Sequence, residues 1–525
     1  MSAPDVCEVD GCPSRRFRRR EDAYYYCSNG HQQTLAGPAE GEDEDNFRQQ
    51  GRVQRAKREK VERDERTVLS GSAAFELYIL CYQLILRKQV WFLVHSKGYP
   101  ADLEKALHHL WSLRLRKLSP KLSTDADASS ETHSQLFSSQ SEAETSDTDT
   151  SYNRRRRAKH EYSTASMPRL IDTLALLYLS MLILRLPPSL ADLLRWANSG
   201  ELAYYRAIRD VPREMRHGLP VQYAHALDPD ALLRPDALRM AVQRLVGAYG
   251  RDFGFEVPGV NVPLLLWRYV GELGMPLDVY PAARRVGGMV GYGFGFPNGP
   301  VKTGKRKKVT DAPEVQLMGC VVVAVKILFP FHEGEGGQKV QSDGKTGLVR
   351  VDWDGWESAQ RDYEEGRERP GRLGFEDAMR VGEEEVFGMT DLQMDDYLDW
   401  YEDTWVEQET DAKGKEANVT APGRFTRDEA DRRDEHARKL QVVQSAMKPR
   451  QQATEPRKQR NYRLYRTTEE LAYDARAKRF CEVAANAAGL SLETLVKGVY
   501  QTESKLFQKV RDEKRRRAEG DLEEE

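Results

Sequence analysis

The sequence predicts a mainly α-helical protein with a small β ribbon at its N-terminus, two helical domains after the ribbon, and a charged, partly disordered C-terminal region. Three observations support this prediction. Cysteine and histidine residues cluster near the N-terminus, apolar residues recur at helical spacing from about residue 71 onward, and alternating strand patterns are scarce. At 525 residues, the chain is also too long for one hydrophobic core to organise.

The composition indicates several modules separated by solvated segments. Charged residues make up 31% of the chain, and its 80 basic and 83 acidic residues nearly cancel to a net charge of −3. Because these charges are segregated along the chain, the near-neutral total does not exclude nucleic-acid binding. Six cysteines are too few for a disulfide framework, and the N-terminus lacks the apolar core of a signal peptide. We therefore expect a reducing compartment.

The longest apolar run, residues 170–186, does not predict a membrane span. Asp172 and Arg185 interrupt it, so about a dozen uncharged residues remain where a span needs about 20. We interpret the run as a buried helix and predict no membrane association.

The first helical domain is predicted over residues 71–255. It follows a ribbon at residues 1–34 and an extended, charged linker at residues 35–70 that has no apolar periodicity. Its helices are expected at residues 73–94, 101–118, 169–186, 190–197 after the cap Ser189, and 236–249 ending at Gly250. Residues 119–167 are rich in Ser, Thr, Asp and Glu, and we predict that they form a disordered insertion in this domain.

A second helical domain is predicted over residues 256–412, with an acidic end at residues 376–409. Its apolar segments are residues 262–273, 279–287 and 315–329. The last segment suits a strand by its valine-rich composition but a buried helix by its length, and we predict a helix. Residues 413–525 are predicted to form a charged, partly helical C-terminal region, with its clearest helical segment between Leu471 and Phe507.

The clearest functional motif is a set of paired metal ligands near the N-terminus. Cys7 and Cys12 form one pair, and Cys27 and His31 form the other, with 14 residues between the pairs. Zinc prefers four Cys or His ligands in a tetrahedron, and two close pairs joined by a strand-forming arm are typical of a zinc ribbon. The arm includes Phe17 and a run of tyrosines, which favour strands. We predict that the four residues bind one Zn²⁺ ion.

No catalytic motif is evident in the sequence. Two glycine-rich stretches, residues 291–295 and 344–346, resemble parts of nucleotide-binding loops, but each lacks a required glycine. A Ser/His/Asp set, a zinc-protease motif and paired catalytic carboxylates are also missing. We interpret the acidic run from residue 376 as a solvated or partner-facing surface, and we predict that the protein is not an enzyme.

Basic clusters predict contact with a polyanion. Each cluster alone could be a solvated face, but several in one protein favour this interpretation. The candidate contact residues are Arg15, Arg16, Arg52, Arg55, Lys57, Arg58, Lys305, Arg306, Lys307 and Lys308. A further basic run, residues 154–159, is either a nuclear localisation signal or part of a self-shielding linker.

The ribbon and four later segments together resemble one family of transcription proteins. The matching ribbon residues are 7–12, 14–17 and 26–32, and the later segments are 275–281 (MPLDVYP), 313–318 (PEVQLM), 351–356 (VDWDGW) and 397–402 (YLDWYE). In spacing and order they are similar to the TFIIB-like zinc-ribbon subunit of the RNA polymerase I core factor. The animal relative of that subunit is the zinc-ribbon TAF subunit of the selectivity factor.

The resemblance implies a specific architecture and function. It implies two cyclin-like five-helix domains after the ribbon, a reader and linker segment at residues 35–70, and a family-specific tail. Such a protein is a transcription initiation factor that binds the ribosomal DNA promoter and recruits RNA polymerase I, together with other core-factor subunits. The TATA-binding protein is a further possible partner, and the location implied is the nucleus and nucleolus. The resemblance also implies that the basic candidate residues contact either nucleic acid or polymerase.

Two alternatives remain open at the level of sequence. A general initiation factor for another polymerase has a similar ribbon, but the later segments argue against it. A zinc-ribbon interaction adaptor in RNA processing or protein turnover, without DNA binding, is the alternative from a different functional class.

Overall fold

The computed structural model describes most of the chain beyond residue 67 and short parts of the N-terminal region. The described residues are Val9, 12–14, 16–19, 25–29, His31, 68–122, 167–229, 231–297, 308–331, 349–367, 372–405, 447–449 and 462–523. They belong to two compact units, Met1–Arg66 and Thr67–Glu525.

The N-terminal unit contains a short β hairpin. Strand β1 (Phe17–Arg19) pairs antiparallel with strand β2 (Tyr25–Cys27), and Phe17 lies opposite Cys27. Aromatic residues in both strands favour extended backbone. The hairpin has the strands that the sequence predicts for the arm of the ribbon, and its second strand ends at a candidate metal ligand.

The second unit begins with a helical bundle whose helices agree closely with those expected from the sequence. Its longer helices are α1 (Gly71–His95), α2 (Asp102–Leu122), α3 (Leu170–Ile183), α4 (Leu190–Asn198) and α7 (Pro235–Phe253), and two short helices, α5 (Arg213–Gly218) and α6 (Val221–Ala226), precede α7. Helix α3 is buried along almost its whole length and packs against α2 and α7. It is therefore the central helix of the first bundle.

Two helix ends in this bundle differ from the sequence prediction. Helix α2 continues to Leu122, four residues into the predicted insertion, and residues 123–166 of that insertion lie outside the described residues. The prediction that Gly250 ends the last helix is wrong, because α7 continues to Phe253. Its C-cap is Gly254, whose φ of 64° is left-handed and favours glycine.

A second bundle surrounds another buried helix. Helix α10 (Pro313–Leu328) is buried from Pro313 through Lys326, which confirms the predicted helix in the valine-rich segment. It packs against α8 (Val262–Glu272), α9 (Val279–Val290), α16 (Ala475–Ala488) and α17 (Leu492–Glu523). The last two helices belong to the region that the sequence analysis separates from the domain at residue 412. Their packing on α10 instead makes them part of the second bundle.

The segment between α10 and α16 contains smaller elements. They are β3 (Val349–Val351), α11 (Trp353–Arg367), α12 (Phe375–Ala378), α13 (Glu383–Val386), α14 (Asp391–Trp405), β4 (Met447–Pro449) and α15 (Thr468–Ala472). Strand β3 pairs antiparallel with β4. Trp356 of α11 packs against Phe480 with ring centroids 5.6 Å apart, and its indole nitrogen donates a hydrogen bond to the Leu273 carbonyl at 2.9 Å. These contacts fix the start of the intervening segment on the second bundle.

Part of the acidic segment packs against the first bundle. The ring of Phe375 lies between Tyr205 and Trp400, with centroids 6.1 and 6.2 Å away. The Arg206 guanidinium lies 4.3 Å from the ring centroid of Trp405. The prediction of a solvated or partner-facing surface therefore describes only part of this segment, because one side of it is an internal interface.

The two bundles also contact each other directly. Arg268 of α8 donates to both carboxylate oxygens of Asp192 in α4, with its Nη2–Oδ1 bond at 2.7 Å. Thr494 of α17 donates to Asp236 of α7 at 2.8 Å. A side chain at Gly489 would clash with the backbone of α4, so glycine is required for this close approach.

Among the described helices, α1 alone is long and apolar enough to cross a bilayer. Half of its apolar stretch is buried inside the protein, where α1 packs against α2 and α3. Core helices of soluble proteins have the same length and composition, so this helix is weak evidence for a membrane span. The absence of membrane association remains a prediction.

Glu314 is a buried carboxyl group at the N-terminal end of α10. Its Oε1 atom has no hydrogen-bond partner among the described residues, and burial raises the pKa of Glu314 from 4.5 to about 7. The folded protein therefore binds more protons than the unfolded chain between these two pH values. Its free energy of unfolding is expected to fall as the pH rises from 4.5 to about 7.

We expect Glu314→Gln to stabilise the protein at pH 8 by up to about 3 kcal/mol more than at pH 5, because glutamine cannot ionise. Urea unfolding of both proteins at the two pH values measures this difference. Glu493→Gln, at an exposed position of α17, is the control and should show almost no pH-dependent gain. An equal effect of Glu314→Gln at both pH values would contradict the prediction.

Candidate metal centre and basic surfaces

The ends of the β hairpin bring three of the four predicted metal ligands together. The Cys12 amide donates a hydrogen bond to the Val9 carbonyl at 3.1 Å, and the Cys27 amide donates to the His31 carbonyl at 3.0 Å. These turns place the ligand atoms of Cys12, Cys27 and His31 within 4.8 Å of one another. The fourth predicted ligand, Cys7, lies outside the described residues.

The spacing of these atoms suits a tetrahedral metal ion. The Cys12 and Cys27 sulfurs are 4.0 Å apart, and the Cys27 sulfur lies 3.6 Å from His31 Nδ1. Zinc–sulfur bonds of about 2.3 Å and zinc–nitrogen bonds of about 2.0 Å give tetrahedral edges of roughly 3.8 Å and 3.5 Å. The three ligands can therefore bind one metal ion without a large rearrangement.

Further hydrogen bonds orient the two candidate sulfur ligands. The Asn29 side-chain amide donates to the Cys12 sulfur at 3.3 Å, and the His31 backbone amide donates to the Cys27 sulfur at 3.4 Å. Outside the ligand set, the Ser14 and Ser28 hydroxyls are 2.6 Å apart and join the two ends of the hairpin. N–H donors to sulfur stabilise thiolate ligands and fix their direction. Asn29 is thus a supporting residue that the sequence analysis did not single out.

The structure describes two of the predicted nucleic-acid or polymerase contacts, Arg16 and Lys308. Arg16 is exposed next to the hairpin, and its carbonyl accepts a hydrogen bond from the Ser28 amide at 3.1 Å. Lys308 is exposed one residue before a short 3₁₀ helix, Val309–Asp311. The other predicted contacts lie outside the described residues: Arg15, Arg52, Arg55, Lys57, Arg58, Lys305, Arg306 and Lys307.

A second basic surface was missed by the sequence analysis. Helix α17 packs against the 3₁₀ helix that follows Lys308, and the Thr310 hydroxyl lies 3.1 Å from the side-chain oxygen of Gln501. This packing places Lys505 near Lys308, although nearly 200 positions separate them in sequence. The available signal was the basic composition of residues 505–517, but composition alone does not reveal that Lys505 lies near Lys308.

Comparisons with known proteins identify the helical bundles. Residues 82–213 match the N-terminal cyclin domain of the Rrn7/TAF1B family, and residues 231–405 match its C-terminal cyclin domain. The two matches occur in family order and together cover more than half of the chain. The chain belongs to the Rrn7/TAF1B family. The prediction of two cyclin-like domains is confirmed, and so is the predicted family resemblance.

The boundaries of these Rrn7/TAF1B matches differ from the packing in two places. The C-terminal match includes helix α7, which packs against the central helix of the first bundle. The same match ends at residue 405, before α16 and α17, which pack on α10. The last two helices thus complete the second cyclin-like bundle from beyond the matched segment.

One curated member of the Rrn7/TAF1B family and one solved structure are similar to this chain. The RNA polymerase I-specific transcription initiation factor rrn7 of Schizosaccharomyces pombe is 25% identical over 423 residues, which cover 77% of this chain and 76% of that protein. A chain in the crystal structure of S. cerevisiae core factor has a TM-score of 0.49 and 14% identity, and the match covers 84% of this chain and 100% of that chain.

Proposed function

We propose that this protein is an RNA polymerase I-specific transcription initiation factor, a TFIIB-like core-factor subunit that binds the ribosomal DNA promoter and recruits polymerase I. The observation that supports this most directly is the presence of both Rrn7/TAF1B cyclin domains in family order. The metal-ligand cluster lies before them in the chain, as in the predicted architecture. The fission-yeast relative, which matches over three quarters of both chains, is named as such a factor.

The proposed N-terminal ligand set is Cys7, Cys12, Cys27 and His31, holding one structural Zn²⁺. The geometry of the last three ligands supports this proposal. Four protein ligands close the coordination sphere of a structural zinc site, so the ion would stabilise the ribbon and leave no open position for catalysis. The zinc ribbon and the linker at residues 35–70 would then form an arm that acts on polymerase.

The two cyclin-like domains would contact the promoter and the other core-factor subunits. We propose limits of 71–255 for the first domain, and we extend the second beyond residue 412 to include α16 and α17. Basic surfaces on these helices would contact phosphates, while DNA shape and partner subunits would supply sequence preference. The proposed location is the nucleus, and within it the nucleolus, with the TATA-binding protein as a further proposed partner.

The adaptor alternative, a zinc-ribbon protein that does not bind DNA, finds no support in the comparisons. Affinity purification of the tagged full-length protein separates the two proposals. We expect polymerase I and core-factor subunits to co-purify, and we expect chromatin association at the ribosomal DNA repeat. Co-purification with RNA-processing or protein-turnover factors, without ribosomal DNA association, would instead favour the adaptor.

A further inference from the structure

Basic side chains cluster where α17 leaves the second cyclin-like bundle. We call this cluster the C-terminal basic patch, and it consists of Lys308, Lys505, Lys509, Arg511, Lys514, Arg515 and Arg516. Neither the Rrn7/TAF1B matches nor the sequence-based contact predictions include its α17 residues. The family matches and the predicted contacts therefore assign no role to these basic residues of α17.

The base of the patch has a defined geometry. The Lys505 ammonium lies 4.5 Å from the ring centroid of Tyr292, whose hydroxyl is 2.9 Å from the Thr502 hydroxyl. The Lys509 ammonium lies beside Gly291, where α9 ends. Lys308 directly precedes the 3₁₀ helix Val309–Asp311, which packs against α17. Three separate elements thus hold these lysines close together.

The fold does not neutralise the positive charge of the three lysines at the base of the patch. Within the described parts of the chain, the ammonium groups of Lys308, Lys505 and Lys509 form no ion pair. Burial lowers the pKa of Lys505, and the neighbouring charge of Lys308 lowers it further, while Asp311 has the opposite effect. Clustered like charges oppose folding, so this arrangement is better explained by a partner that carries negative charge.

The rest of the patch extends away from the bundle. Every residue from Arg511 to Arg516 is exposed, and four of these six side chains are basic. This part of α17 therefore has no apolar face that packs against the protein. From Lys505 to Arg516 the helix is about 16 Å long at 1.5 Å per residue, a length over which duplex DNA carries about ten phosphate charges.

We propose that the C-terminal basic patch binds the phosphate backbone of duplex DNA. This inference rests on the proposed function and assigns promoter contacts to α17. Residues 511–516 contain no apolar side chain, whereas a protein interface usually has an apolar centre. Binding of single-stranded nucleic acid usually needs free aromatic rings for base stacking, but Lys505 covers the ring of Tyr292, and the exposed ring of Phe507 packs edge-on against Tyr462 at 5.7 Å. Phosphate contacts position a protein on DNA without reading sequence, so the patch sets orientation and affinity.

The patch can be tested with a charge-matched pair of variants of the full-length protein. The patch variant is Lys308→Gln, Lys505→Gln and Lys509→Gln. The control variant is Lys105→Gln, Arg361→Gln and Lys497→Gln, which removes the same charge from exposed surface ion pairs that contribute little to stability. Circular dichroism and thermal unfolding verify that both variants remain folded.

The measured quantity is the Kd for a short ribosomal-promoter duplex at several salt concentrations. We expect the patch variant to bind about 10- to 100-fold more weakly at moderate salt, while the control changes little. A plot of log Kd against log salt concentration should also have a slope that is smaller by about two to three for the patch variant. Equal behaviour of the two variants would overturn the proposal. It would also be overturned if the patch variant lost binding to single-stranded RNA or poly-L-glutamate but kept its affinity for duplex DNA.

Transcription assays distinguish failure of this inference from failure of the proposed function. If the wild-type protein supports polymerase I initiation but both variants bind DNA equally well, the patch is not the DNA contact and the proposed function stands. If the patch variant loses duplex binding but the wild-type protein supports no polymerase I initiation, the patch inference stands and the proposed function fails.

Discussion

Replacing Cys12 and Cys27 together by serine is expected to abolish metal binding and unfold the N-terminal ribbon, while the helical unit stays folded. The two thiols lie 4.0 Å apart at the ligand cluster. Binding of a structural zinc ion contributes about 10–16 kcal/mol to the folding of comparable small modules, far more than one short hairpin supplies. Metal analysis of the full-length protein should give one equivalent of zinc for the wild type and almost none for the variant. The main thermal transition of the helical unit should change little.

Cys481→Ala is the matched control for this experiment. Cys481 is buried in the helical unit and is not among the candidate ligands. Its replacement should leave the zinc content unchanged, although it can lower the stability of the helical core slightly. A Cys12→Ser, Cys27→Ser protein that still bound a full equivalent of zinc would contradict the assigned site. Cys7→Ser, tested alone, checks the fourth ligand.

Asp172→Ala is expected to cause the largest loss of stability within the helical unit. The buried carboxylate accepts hydrogen bonds from Arg114 at 2.9 Å and from Arg244 at 3.0 Å, and from the Arg169 amide at the start of α3. Burial opposes ionisation, but the two guanidinium groups hold the pKa of Asp172 below its ordinary value. Removing the carboxylate leaves the buried Arg114 charge without its partner, which costs about 3–5 kcal/mol. Urea unfolding measures this loss.

Two further variants and the pH dependence of stability test the cause of that loss. Asp172→Asn keeps the shape of the side chain but removes its charge, so it should also destabilise the protein. Because the pKa of Asp172 is lowered on folding, its contribution is present above the ordinary carboxyl pKa and is lost as the pH falls. Asp102→Ala removes a carboxylate from an exposed ion pair and should have little effect. A similarly small effect of Asp172→Ala would show that the buried ion-pair network is not important for stability.

Most helices could be predicted because their signals are local. Ser189 accepts a hydrogen bond from the Ala191 amide at the start of α4, as its position before an apolar segment predicts. The nearly all-apolar segments that form α3 and α10 are buried as the central helices of the two bundles. The predicted end at Gly250 failed because glycine is tolerated within a helix, and the backbone conformation at Gly254 decides where the helix ends.

Tertiary contacts between distant segments could not be predicted from local patterns. The C-terminal helices α16 and α17 join the second bundle after a long intervening segment, and their apolar faces alone do not specify α10 as their partner. The same holds for Phe375, which packs on Tyr205 from an otherwise acidic segment. In both cases the sequence indicates that a face will be buried but not which element covers it.

The two candidate sites also differ in whether their signals are local in sequence or depend on contacts between distant segments. The cluster of Cys12, Cys27 and His31 could be predicted because zinc sites use short paired spacings that remain visible in sequence. The C-terminal basic patch was not predictable, because Lys308 and Lys505 are distant in sequence and only the fold brings them together. The supporting amide of Asn29 was also missed, since asparagine next to a cysteine has many other possible roles.

Promoter-dependent transcription by purified polymerase I, reconstituted with this protein and its partner subunits, tests the central proposal most directly. The wild-type protein should support initiation from a ribosomal promoter. A Cys7→Ser, Cys12→Ser variant should still assemble with the partner subunits and occupy the promoter, but should give little transcript. If transcription proceeds equally well without the protein, or with the ribbon variant in its place, the proposed initiation function of this ribbon and its helical domains is contradicted.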